Sequence, residues 1–113
     1  MKQVDKISVA ELKEMAKKMF DGIVKADVDL AKKIVIVDMG MHADGEAQLL
    51  EDGSKQQDLW GINLHPYKYD TPEFVEFDSM INMRPSQGNP SRSVLDEKIR
   101  AEIIALVEGV VHE

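Results

Sequence analysis

Lys33-Ile34-Val35-Ile36-Val37-Asp38-Met39 is the stretch on which the fold turns. Four consecutive β-branched residues favour extended backbone, because branching at Cβ fits a pleated surface and crowds a helical turn. A run without polar interruption has the pattern of a well-buried strand. Moving toward the C-terminus, Gly40 to Gly53 admits two readings. Asp44-Gly45 can be a tight turn joining a strand over 33–42 to a second one at 46–51. Alternatively, Asp44 caps a short helix that runs through Glu51 and ends at Gly53. The Asp-Gly pair after so long a strand favours the hairpin.

Asp58-Leu59-Trp60-Gly61-Ile62-Asn63-Leu64 reads as a further strand. The pleat has a period of two, so Trp60, Ile62 and Leu64 share the core side while Leu59, Gly61 and Asn63 take the other. Trp60 is expected to anchor that core. Pro66 and Pro72 mark 65–72 as a loop, since proline cannot serve an interior ladder. Phe74 to Met83 is predicted to be another strand, with Val75, Phe77, Ser79, Ile81 and Met83 on its more apolar face. Arg84 to Arg92 is a polar loop.

Helices flank these strands. Ser8-Val9-Ala10-Glu11 has the form of a capping box, and Leu12, Met15, Ala16, Met19 and Ile23 make one helical stripe. The spacing predicts a first helix over 8–25, weakened in its last turn by Gly22. Ser93-Val94-Leu95-Asp96 opens a second helix whose stripe is Leu95, Ile99, Ile103, Leu106 and Val110, widened by Val94, Ile104, Val107 and Val111. So broad an apolar face is either well buried or shared with a second subunit. The expected fold is α+β over residues 1–113: helix, three- or four-stranded antiparallel sheet, helix, stacked as a two-layer sandwich.

Composition narrows the function classes. The chain has 113 residues, the size of one domain, with 43% hydrophobic and 31% charged residues, which is globular and not disordered. Its net charge of −7 argues against a nucleic-acid binder, which needs a basic footprint on the phosphates. The absence of cysteine excludes disulfides, thiolate metal ligands and a cysteine nucleophile. The longest apolar runs, Ile34–Val37 and Ile103–Val107, fall far short of a membrane span, and the N-terminus lacks the apolar core of a secretory signal; the expected location is cytoplasmic. The charge is uneven. Residues 1–33 carry eight lysines against six acids, whereas residues 34–83 carry ten acids against Lys55 and Lys68, a net of −8. Solvated strand faces and turns account for such a block, and so does a cation site.

Two groups of residues could carry chemistry. Asp38, His42, Asp44 and Glu46 are all even-numbered, so on one continuous strand they would project to one face. Carboxylates with one imidazole suit Mg²⁺, Mn²⁺, Zn²⁺ or Fe²⁺, and a bound ion could activate water for hydrolysis. No paired-histidine motif supports this, and an Asp44-Gly45 turn would break the shared face. The second group is Arg84, Ser86, Gln87, Asn89, Ser91 and Arg92, directly before a helix N-terminus, where two guanidinium groups and several neutral donors suit a small anion. Neither nucleotide-loop glycine spacing is present. The plain reading of the same loop is a tight connection whose Asn89 and Ser91 satisfy backbone groups. No Gly-x-Ser-x-Gly elbow surrounds any serine.

The blocks His42-Ala43-Asp44-Gly45-Glu46, Leu49-Leu50-Glu51-Asp52-Gly53-Ser54, Asp58-Leu59-Trp60-Gly61-Ile62-Asn63 and Phe77-Asp78-Ser79-Met80-Ile81-Asn82-Met83-Arg84-Pro85-Ser86-Gln87-Gly88-Asn89 resemble an uncharacterised family. It is a domain of unknown function found as short single-domain bacterial and archaeal proteins, and the resemblance spans nearly the whole chain. It implies no activity, cofactor or catalytic residue. The leading expectation is a small binding or interaction module that forms a homo-oligomer through its second helix. The rivals are a metal-dependent hydrolase acting on an anionic substrate and a small-anion sensor.

Overall fold

The computed structural model describes residues 1–113. In chain order the elements are β1 (Lys2–Val4), β2 (Ile7–Ser8), α1 (Val9–Ala16), β3 (Val24–Asp29), β4 (Ile34–Val37), α2 (His42–Glu51), β5 (Leu59–Leu64), β6 (Val75–Glu76), α3 (Glu97–Val110) and β7 (Val111–His112). Five strands form an antiparallel sheet in the order β1-β4-β3-β5-β6. A small parallel sheet pairs Ile7 with Val111 and Ser8 with His112, tying the two ends of the chain together.

The α+β class and the antiparallel pairing agree with the sequence reading, and the finer arrangement differs. Helix α1 keeps its predicted start, with the Ser8 hydroxyl accepting from the Glu11 amide at 3.1 Å, but it ends at Ala16 and not at 25. Gly22 adopts φ +71° and turns the chain into β3, where Val24, Ala26 and Val28 alternate with Lys25, Asp27 and Asp29. The 74–83 strand is reduced to Val75–Glu76, followed by a 3-10 turn at Met80–Asn82. The hairpin reading of 43–52 is overturned, because the segment is helix α2. The last helix begins at Glu97, with Asp96 accepting from the amides of Lys98 and Ile99.

Register explains the layers. Val37, Ala26 and Ile62 lie side by side across β4, β3 and β5, as do Val35, Val28 and Trp60. These residues belong to a core of 19 buried side chains that includes Leu12 of α1 and Ile103, Val107 and Val110 of α3. On the opposite face Ile36, Asp27 and Gly61 are aligned, and Ile36 and Leu59 join Leu49 of α2 and Met39 in a separate cluster of four. Helices therefore cover both faces of the sheet, where the two-layer expectation had helices on one.

Candidate functional site

The face beneath α2 carries most of the buried polar groups. Asp27, in the central strand, has no solvent exposure, and neither carboxylate oxygen makes a hydrogen bond of good geometry, although the Glu46 backbone N–H approaches the carboxyl. Helix α2 crosses it at Gly45, where an added Cβ would collide with Asp27 Oδ2 and Met39 Cε. Burial raises the Asp27 pKa to about 8, the negative charge of Glu46 and more weakly of Asp44 adds to it, and the Glu46 backbone amide pulls the other way. The carboxyl is thus held as the neutral acid at pH 7. Its neighbour Asp29, also buried, is fully engaged: Ser54 Oγ donates to it at 2.6 Å and the Lys32 amide at 2.9 Å.

His42 opens α2. Its Nε2 lies 2.8 Å from the Ile62 carbonyl oxygen, and because a carbonyl only accepts, that nitrogen carries the proton. Burial lowers the His42 pKa, so the ring is neutral; the Ile62 bond and Asp78 oppose this, while Lys25 and Arg92 reinforce it. Asp38 leaves the sheet with φ +68° and pairs with Lys18 at 2.6 Å. Asp44 is exposed in the first turn of α2, and Glu46 is half-buried with an orphaned Oε2. The four expected metal ligands do not converge: nowhere do three His, Asp or Glu side chains come together as an ion would need. Even-numbered positions share a face only on a strand, whereas helix α2 rotates them around its axis.

The arginine loop is built inward. Arg84 and Asn89 exchange both backbone bonds, closing a short hairpin around Pro85–Gln87 with Gly88 in left-handed conformation. Buried Arg84 donates to the carbonyls of Gln56 and, at 2.8 Å, Leu59, and its guanidinium lies 4.1 Å from the Trp60 ring centroid. Asn89 Nδ2 serves the carbonyls of Asn82, Ser91 and Ser93, and its Oδ1 accepts from the Leu95 amide. Ser91 Oγ accepts from the Ser93 amide, and Arg92 pairs with Asp78 at 2.6 Å. Only Ser86 and Gln87 project freely, at the exposed tip. The α3 N-terminus is already occupied by the Asp96 carboxylate. A cleft of about 370 Å³ lies beside this loop, between Trp60, Gln87, Asn89 and Asp96.

Asn82, which the sequence reading assigned no role, completes the sheet. Its amide oxygen accepts from the Gly61 N–H at 2.9 Å, and its nitrogen donates to the Gly61 carbonyl at 2.9 Å and to that of Arg92. Strand β6 reaches only Asn63 and Leu64, so Asn82 and Arg84 supply side-chain partners to the β5 edge where no strand lies. Asp27 was also missed, although its place among Val24, Ala26 and Val28 is a period-two signal.

A concavity of about 500 Å³ lies elsewhere. It runs along α3 between Ile104, Val107 and Val111 on one side and Tyr69, Phe74 and Val75 on the other, with Asp70 and Glu108 also lining it.

These features define an α+β domain with one extensive apolar core and a second, polar face covered by a single helix. The chain belongs to a family described as "Protein of unknown function (DUF5674)", whose pattern matches residues 3–110. No curated protein matches the chain, and no solved structure does. No helix is long and apolar enough to cross a membrane.

Proposed function

We propose that the protein is a small cytoplasmic interaction module that associates with a second copy of itself through the outward face of α3. The observation that carries this reading is the self-complementarity of that face. Ala101, Ala105 and Gly109 are exposed at four-residue spacing, with Lys98 at one end, Glu108 at the other and Ile104 exposed alongside. Side chains four apart stack on one side of a helix. Two such helices packed antiparallel, with Ala101 facing Ala105 of the other copy, bring Lys98 opposite Glu108 twice, by the two-fold symmetry of an isologous contact. Short side chains let the axes approach closely. Ile104 also lines the apolar groove, so the contact extends from the helix onto a concave surface. The cysteine-free composition is compatible with the cytoplasm.

Arg84 and Asn89 are engaged inward and Arg92 is paired with Asp78 at the surface, which leaves few donors for an anion and favours an interaction module over a sensor. Sedimentation equilibrium tests the reading. The expected result is a concentration-dependent mass approaching twice 12.7 kDa. Lys98→Glu and Glu108→Lys should each weaken association, and the double variant should restore it, because each exposed pair contributes about 0.2–1 kcal/mol and reversal of both signs conserves it. A monomer at all concentrations, or a double variant no better than the singles, overturns it.

A further inference from the structure

We infer that α2 is a proton-operated cover on the second face of the sheet: Asp27 holds a proton while α2 is docked and gives it up when α2 lifts. This goes beyond self-association and depends on no residue of the α3 face.

Three independent features of α2 support a lifting element. Its apolar attachment is small, a cluster of four buried residues (Ile36, Met39, Leu49, Leu59) against the 19 of the main core. The helix is also poorly self-supporting. Gly45 sits in its interior, Met41 at its N-cap makes no side-chain bond, and Glu51 ends it where the helix dipole favours a cation. Finally, it closes over a carboxyl with no solvent exposure and no hydrogen bond of good geometry to either oxygen, the Glu46 backbone N–H of α2 itself being the donor that approaches it. A buried group in that state is tolerated only when neutral. Gly45 removes the one Cβ that would forbid the close approach, so docking of the helix and enclosure of the acid are one event.

The pH dependence follows from the groups that face one another across this contact. Asp27 faces Glu46 and Asp44 of α2; burial and both acidic side chains favour retention of its proton, and the Glu46 backbone N–H opposes it. His42, at the start of α2, faces Lys25 of β3 and the Asp78–Arg92 pair, and it is docked in the neutral form. With Asp27 at about 8 when covered and 3.8 when free, lifting releases a proton throughout that interval. The lifted population therefore rises with pH from the point where His42 stops titrating, by close to tenfold per unit up to about pH 7, with half that slope at about pH 8 and none well above it. Below 6.5, the ordinary value for His42, lifting also lets that ring take up a proton. The two exchanges then oppose one another and the slope flattens.

Native-state hydrogen exchange, corrected for the intrinsic pH dependence of amide exchange, reads this directly. In the intact protein the protection of amides in 42–51 should fall about fivefold between pH 7 and pH 8, where the docked carboxyl itself begins to ionise, while those of α1 and α3 stay unchanged. In Asp27→Asn, which is neutral at every pH, the fall should vanish. Equal protection of α2 at the two pH values, or an unchanged slope in Asp27→Asn, overturns the inference. Should that variant fail to fold, carbon-detected titration of the Asp27 carboxyl in the unaltered protein decides: a midpoint near 8 supports the cover, and one in the ordinary carboxylate range refutes it.

Discussion

The side chain of Asn82 occupies the position a neighbouring strand would take beside Gly61. A carboxamide can do this because it presents one acceptor and one donor group in a plane, as a peptide unit does. Asn82 is fully buried, so its removal leaves the Gly61 N–H and C=O without partners and without water. Each stranded group costs about 1–3 kcal/mol. Asn82→Ala should accordingly lower the urea midpoint by an amount equivalent to roughly 2–5 kcal/mol with little change in slope. Asn82→Asp should be no milder, because it keeps the acceptor for the Gly61 amide but sets an acceptor against the carbonyls of Gly61 and Arg92. By contrast, Met80→Ala at an exposed position of the same turn should stay within about 0.5 kcal/mol of the starting protein. A loss in Asn82→Ala no larger than in Met80→Ala would show that β5 closes its own edge.

Helix α2 shows where local sequence signals stop deciding structure. In an isolated helix Gly→Ala is stabilising by about 1 kcal/mol. At position 45 the added methyl meets Asp27 Oδ2 and Met39 Cε; the methionine tip can yield, whereas the short Asp27 side chain is buried and anchored in the central strand. Gly45→Ala should therefore destabilise by about 1–3 kcal/mol, the usual cost of overpacking. Its effect should shrink when Asp27 is shortened to alanine, so a double-mutant cycle measured by denaturant titration should return a coupling of about 0.5–3 kcal/mol. Additive effects would mean that the helix has already shifted away. The same contact explains what the sequence left hidden. Ile34 to Val37 and Leu59 to Leu64 are legible because β-branching and alternation are properties of the strand itself. Gly45 follows Asp44 and so imitates a turn, whereas its lack of a side chain serves a contact with a residue 18 positions earlier. Strand β3 was obscured in the same way: Asp27 and Asp29 look like solvent-facing polar positions, and only a helix supplied from further along the chain makes them buried. The donors of the 84–92 loop were visible by type, but their orientation depends on the unpaired edge of β5, for which no local pattern exists.

At the scale of the whole molecule, the two faces of the sheet differ in how much they hold. Nineteen buried side chains on one face join α1, α3 and the strands, and four on the other hold α2. Truncating a buried leucine to alanine costs about 2–5 kcal/mol wherever the surrounding structure stays in place. Leu12, with no exposure in the larger core, has no smaller unit that can detach, so Leu12→Ala should move global unfolding by that full amount. Leu49 is buried to the same degree, at 1% exposure, but it belongs to the small cluster. Once its truncation exceeds the free energy that docks α2, the helix separates and the rest of the fold loses nothing more. Leu49→Ala should therefore cost less in global stability than Leu12→Ala. It should raise hydrogen exchange within 42–51 while leaving 9–16 and 97–110 protected, a pattern of local opening and not of uniform loosening. Equal global losses with uniform exchange would mean that α2 and the main core unfold as one unit, and the weak attachment inferred from the four-residue cluster would be wrong.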